Sequence, residues 1–293
     1  MTKNFVCRRN VLNATAIVAA GTLLVGAVAG CDADPAATAQ PAAGLHMISN
    51  GGHRLAFHLT PGHLPAIVLD AGGGADSSYW KDIVPKLSAQ TGSEIITYDR
   101  AGVGASDEAP GPWHVEDAVS DLTAGLTELG VTHDVILVSH SLSGEIATSF
   151  VNKNPRWVAG SVLVDASLPD FYTDSELTRI EAANSEQIEE LKKQPSTKQT
   201  RQLIAVAENY GPWHRAYHQM SWPASTPATV IESAKTPFDT PEDAQLWRDA
   251  QAHFAEAAPN RYLVIAENSS HDVPIDRPDV VTDAIDGMAE RLG

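Results

Sequence analysis

The sequence predicts an α/β fold: a mostly parallel eight-stranded sheet with helices on both faces and a helical cap. Three observations carry that reading. From residue 46 onward, short β-like runs alternate with helix-like segments, the pattern of a sheet wound with crossover helices. The runs Ala-Ile-Val-Leu at 66–69 and Ser-Val-Leu-Val at 161–164 are almost continuously apolar, which suits strands covered on both faces. The stretch 168–226 contains no convincing strand and reads as helices inserted before a late strand, well placed to lie over the strand ends. With 293 residues, 43% of them apolar, the chain can bury a full core.

The first thirty residues do not belong to that sheet. Arg8 and Arg9 precede a mostly apolar stretch from Ala16 to Ala29, which ends in small residues: a charged start, an apolar middle and a cleavage site, as in a secretory signal at 1–30. Arg8-Arg9-Asn10-Val11-Leu12 resembles a twin-arginine export motif. Val28-Ala29-Gly30-Cys31 resembles a bacterial lipobox, which implies acylation of Cys31 and a place in the cell envelope, with membrane contact only through that anchor. Residues 31–45, rich in Ala, Pro and Gln, read as a flexible tether. Cys7 and Cys31 are the only cysteines, so the body from 46 to 293 has neither a thiol nucleophile nor an internal disulfide.

The net charge is −17, and removing the three cations of residues 1–30 (Lys3, Arg8 and Arg9) would leave −20. Such an acidic body argues against nucleic acid or anionic lipid as partners. Its candidate strands are His46–Ser49, Arg54–Leu59, Ala66–Asp70, Glu94–Tyr98, Val135–Val138, Ser161–Val164, Ala228–Ile231 and Tyr262–Ala266. Between them, Ala118, Leu122, Leu126 and Leu129 recur at helical spacing within Val115–Leu129. Within the cap, Ser175–Lys193 is charged and Gln202–Met220 carries Tyr210, Trp213 and Tyr217, with Trp222 nearby; these aromatics read as the cap's own core.

Four motifs follow strands. Ala71-Gly72-Gly73-Gly74, after the third, allows backbone N–H groups to approach a developing oxyanion without a Cβ in the way. Asp99-Arg100-Ala101-Gly102-Val103-Gly104-Ala105-Ser106 follows the fourth; it lacks the third glycine and the framing of a dinucleotide loop. At 139–144, Ser-His-Ser-Leu-Ser-Gly has the layout of a nucleophile elbow around Ser141, with Ser139 and Ser143 where G-x-S-x-G has glycines. After the last strand comes His271, placed to act as base toward a serine. The other ten histidines lie on early strands, in the cap, beside helices or, for His140, at an elbow position pointing away from Ser141. No metal-ligand spacing such as H-E-x-x-H is present, and no cofactor is implied.

These motifs, in this order, resemble those of α/β-hydrolase fold enzymes over nearly all of 46–293. The resemblance implies Ser141 as nucleophile, His271 as general base and acid, and the amides of Gly73 and Leu142 as the oxyanion hole. Ala71 stands where many members have histidine. The triad acid has several candidates. Most members carry it after the strand that follows the cap, where this chain has Glu232-Ser233-Ala234-Lys235 without a matching aspartate. A minority carry it one strand earlier, which points to Asp165; Glu232, Asp239 and Asp243 are the alternatives. A serine at the elbow excludes the dehalogenases and epoxide hydrolases of this fold, which use aspartate there. The implied reaction is hydrolysis of a small acyl substrate such as a carboxylic ester. Lactonase, perhydrolase, carbon–carbon bond hydrolase and acyltransferase share the same residues, and a non-catalytic binding lipoprotein of the same fold is the alternative of a different class.

Overall fold

Apolar residues on alternate sides of each central strand divide the interior into two cores, one on each face of the sheet. In β3 (His63–Asp70), Ala66 and Val68 face one core and Ile67 and Leu69 the other. In β6 (Val158–Val164), Leu163 faces the first core while Val162 and Val164 face the second. Both runs therefore read as continuously apolar, since neither face meets water. The computed structural model describes residues 41–109 and 111–292. The expected export signal, Cys31 and residues 31–40 of the expected tether lie outside the described residues.

The sheet contains β1 (Gly44–Asn50), β2 (His53–Thr60), β3, β4 (Ser93–Asp99), β5 (Val135–His140), β6, β7 (Ala228–Ser233) and β8 (Arg261–Ala266). Their order is β1-β2-β4-β3-β5-β6-β7-β8. The β1–β2 hairpin and the β2–β4 pair are antiparallel, and every other pairing is parallel. All eight sequence-predicted strands are present, each extended by a residue or more at one or both ends.

Helices α2 (Val115–Glu128), α3 (Ser143–Lys153) and α7 (Pro241–Glu256) cover one face; α1 (Val84–Thr91) and α9 (Pro278–Leu292) cover the other. The helical spacing read in α2 is real: Ala118, Leu122, Leu126 and Leu129 are all buried. Between β6 and β7 the chain forms α4 (Asp174–Lys192), α5 (Lys198–Glu208) and α6 (Tyr210–Tyr217), and the short α8 (Val273–Asp276) precedes α9. Thr173 and Thr197 cap α4 and α5 through their side chains, the latter in a reciprocal box with Thr200. Because β3, β5, β6, β7 and β8 run parallel, their C-terminal ends share one edge, where α/β sheets place ligands.

Candidate active site

Register aligns the chemistry before any side chain is considered. Asp70 at the end of β3 lies beside Ser139 of β5, and His140 beside Val164 of β6. Ser141 therefore leaves the sheet at its centre, at φ +54°, and α3 begins at once. A left-handed backbone at a non-glycine residue costs about 1–3 kcal/mol and persists only where the surroundings hold it. Here the Ser141 carbonyl accepts from the Gly144 and Ser167 amides, both at 2.9 Å, and its N–H donates to Val164 O at 3.2 Å.

The serine in place of the elbow's second glycine has a physical explanation. The Ser143 hydroxyl donates to the carbonyls of Asp70 (3.0 Å) and His140 (2.8 Å), tying the elbow to β3 while itself fully buried. The tight contact falls one residue later: a Cβ on Gly144 would lie 2.4 Å from the Ser167 carbonyl oxygen.

Ser141, His271 and Asp165 form one hydrogen-bonded line. His271 Nδ1 lies 2.6 Å from Asp165 Oδ2, and His271 Nε2 lies 2.8 Å from Ser141 Oγ. A carboxylate only accepts, so the ring proton sits on Nδ1 and Nε2 is left to accept from the serine hydroxyl. Asp165 is fully buried, with φ +40°. It also receives Ser233 Oγ (2.7 Å), Ser233 N (3.2 Å) and Trp247 Nε1 (2.9 Å).

The other carboxylates considered from sequence lie elsewhere. Glu232 is 3.8 Å from Arg248, and burial raises its pKa. Asp243 pairs with Arg179 of α4 at 2.9 Å, and Asp239 is exposed in the loop after β7.

Gly73 and Leu142 face each other beside Ser141: a Cβ built on Gly73 would be 3.8 Å from that of Leu142. Among the described residues, neither amide N–H has an intramolecular acceptor. Leu142 also precedes α3, so the positive end of that helix faces the same spot. The glycine loop is held from behind. Arg100 pairs with Asp70 and donates to the carbonyls of Ala71 and Gly72, and Tyr98 donates to Asp70 at 2.7 Å. Burial raises the Asp70 pKa, opposed by the Arg100 charge. Asp99 accepts from the Ser77 and Ala105 amides (2.8 and 2.7 Å), so the Asp-Arg-x-Gly-x-Gly-x-Ser motif is a brace. Gly72 cannot be larger, because a Cβ there would lie 2.9 Å from His140 Nδ1.

Several residues of the site escaped the sequence reading. His140 does point away from the Ser141 hydroxyl, yet its ring lies 4.8 Å from the His271 ring and its Nε2 lies 2.9 Å from the His271 carbonyl. Burial and the neighbouring His271 charge push its pKa down to about 4, so at neutral pH it donates as an uncharged ring. Tyr79 stacks on it and donates to Asp272 at 3.1 Å.

Glu145 of α3, 2% exposed, accepts from Trp213 Nε1 (2.6 Å) and Ser167 Oγ (2.8 Å) and pairs with His214 Nε2 at 2.7 Å, joining the cap to the helix behind the nucleophile. Of the cap aromatics, Trp213, Tyr217 and Trp222 pack and bond within the protein, though Trp213 and Tyr217 reach Glu145 and Ser167 outside the cap rather than forming a core of the cap alone, while Tyr210 also lines the cavity. That cavity, about 370 Å³, opens onto Ser141, His271, Gly73 and Leu142. A second cavity of about 260 Å³, between α2 and α5, contains none of these groups.

The model for the alpha/beta hydrolase family matches residues 67–284. An uncharacterized protein of Bacillus subtilis (strain 168), YqjL, is 34% identical over 104 residues, which cover 36% of this chain and 40% of that protein. The chain thus matches less than half the length of this relative. A thermophilic esterase from Thermogutta terrifontis superposes with a TM-score of 0.59 at 22% identity, over 85% of this chain and 99% of that one. The enol-lactonase from Burkholderia xenovorans LB400 gives 0.56 at 18% identity, over 83% and 98%. At such identities the two structures speak for the fold alone.

Proposed function

The chain belongs to the alpha/beta hydrolase family, and on that premise we propose that it is a serine hydrolase cleaving a carboxylic ester or a related acyl substrate, lactones included, through an acyl-enzyme. The observation that carries this reading is His271 bridging Ser141 at 2.8 Å and Asp165 at 2.6 Å. As Ser141 Oγ attacks the carbonyl carbon, its proton passes to His271 Nε2. Asp165 accepts from Nδ1–H throughout, which fixes the tautomer and stabilises the imidazolium. The oxyanion accepts from the Gly73 and Leu142 amides, each donor contributing roughly 3 kcal/mol at the transition state. Collapse breaks the bond to the leaving alkoxide, which takes the proton from Nε2. Water, deprotonated by His271, then attacks the acyl carbon, and Ser141 departs with the returning proton.

The lipobox-like Cys31 supports the further proposal that this chemistry occurs in the cell envelope, outside the cytoplasm.

The test uses a fluorophosphonate probe and short p-nitrophenyl esters. The wild-type protein is expected to be labelled and to turn over, whereas Ser141→Ala loses labelling and falls by several orders of magnitude in kcat. Equal turnover by the two proteins rejects the reading.

A further inference from the structure

The cavity in front of Ser141 has an unbalanced lining. Tyr172 and Tyr210 approach from the cap side and Phe238 and Trp247 from the side of α7, the latter two with ring centroids 5.5 Å apart. Buried Glu145 lies at its inner end, and Asp272, exposed, follows His271 at its mouth. Among the described residues, no lysine or arginine lines it. Arg100, beyond the oxyanion glycines, directs its guanidinium at Asp70 and at the carbonyls of Ala71 and Gly72.

Resting on the serine hydrolase reading, we infer that this pocket selects acyl substrates by charge, taking a neutral or cationic acyl group and excluding an anionic one. A carboxylate entering here gives up its hydration without a cation to pair with, which is the costly way to bury a charge. It also meets the charge of Asp272 on a chain whose net charge is already −17. Glu145 adds no net negative charge here, because His214 donates to it at 2.7 Å while its other ring nitrogen donates to the Tyr210 carbonyl at 2.6 Å, so the charge a substrate meets is that of Asp272. An ammonium group instead finds aromatic faces, whose quadrupoles attract cations.

Three esters of matched length test this with the full body of the protein: p-nitrophenyl hexanoate, mono-p-nitrophenyl adipate, and the p-nitrophenyl ester of 6-(trimethylammonio)hexanoate. The adipate ester is expected to have kcat/KM at least about 30-fold below the hexanoate, with the ammonium ester equal to the hexanoate or better. The gap should persist in about 1 M NaCl, where the screening length of about 3 Å removes steering by distant surface charge. The inference is overturned if the adipate ester comes within about threefold of the hexanoate, or if the discrimination disappears in salt. It is equally overturned if the ammonium ester falls as far as the adipate, which would mean rejection of polarity rather than of negative charge. Failure of all three esters together with absent fluorophosphonate labelling would instead reject the serine hydrolase reading. Turnover without discrimination rejects only the charge selection.

Discussion

The ends of β6 and β7 lie side by side, joined by the Asp165 N–H to Ile231 O bond at 2.6 Å, and they serve the site in opposite ways. At the end of β6 the chain turns into a left-handed residue and offers an acceptor, the Asp165 carboxylate. The end of β7 offers donors: the Ser233 hydroxyl and amide both reach that carboxylate, and Trp247 of α7 adds a third. Glu232, one residue before Ser233, is the acid nearest the position that the family resemblance implies after the strand following the cap. Successive strand side chains point to opposite faces, so it turns toward Arg248 instead. The difference teaches that the proposed triad acid and its donors form one unit. The acid can stand one strand over when the neighbouring strand supplies what its oxygens need.

The largest expected effect comes from removing the acceptor. Asp165→Asn keeps the shape and tolerates the left-handed backbone, but it presents an amide to His271 and favours the wrong tautomer. Its kcat on p-nitrophenyl butyrate should fall by about 10⁴ with KM little changed. A smaller and more instructive effect comes from moving the acid across. Ser233 Oγ lies 2.7 Å from Asp165 Oδ2, which itself is 2.6 Å from His271 Nδ1. An aspartate at 233 reaches further than serine, toward the position that the Asp165 carboxylate oxygen now holds. Asp165→Asn combined with Ser233→Asp should recover about 100-fold of the lost kcat in the same assay. Recovery makes the two strand ends interchangeable hosts for the acid. Without it, the turn at 165 is what the geometry requires.

The parts legible in the sequence are those set by local periodicity and by order along the chain. Eight apolar runs gave eight strands, and Ser141 and His271 follow two of them, as the elbow and the last loop demanded. The acid was only partly legible. Asp165 follows β6, Glu232 is in β7, and Asp239 and Asp243 lie beyond it; what singles out Asp165 is a positive φ and its burial against Ser233 and Trp247, which composition does not express. His140 holds the carbonyl of His271 rather than the hydroxyl of Ser141, a contact that its place in the sequence does not show. Glu145 did leave a signal, an acid four residues after the nucleophile on a helix that is otherwise buried there. Its partners Trp213 and His214 come from the cap, 68 and 69 positions away, and nothing local announces them.

The smallest of these effects isolates the contribution of β7 alone. Ser233→Ala removes one donor from Asp165 Oδ2, while the Ser233 amide and Trp247 Nε1 still reach Oδ1 and His271 still engages Oδ2. A hydrogen bond to a charged acceptor is worth about 1.5–3 kcal/mol, but part of that loss falls on folding and is shared by ground and transition states. The remainder bears on the orientation of the carboxylate as the imidazolium forms. We expect a decrease of about tenfold in kcat at constant KM, with urea unfolding showing a loss of about 1–2 kcal/mol. A decrease near that of Asp165→Asn would mean that the β6 carboxylate cannot hold its position without the β7 hydroxyl, so the two strand ends act as one catalytic element. An unchanged kcat with reduced stability would confine Ser233 to holding the strands together, and the acid would then owe its orientation to its own turn and to Trp247.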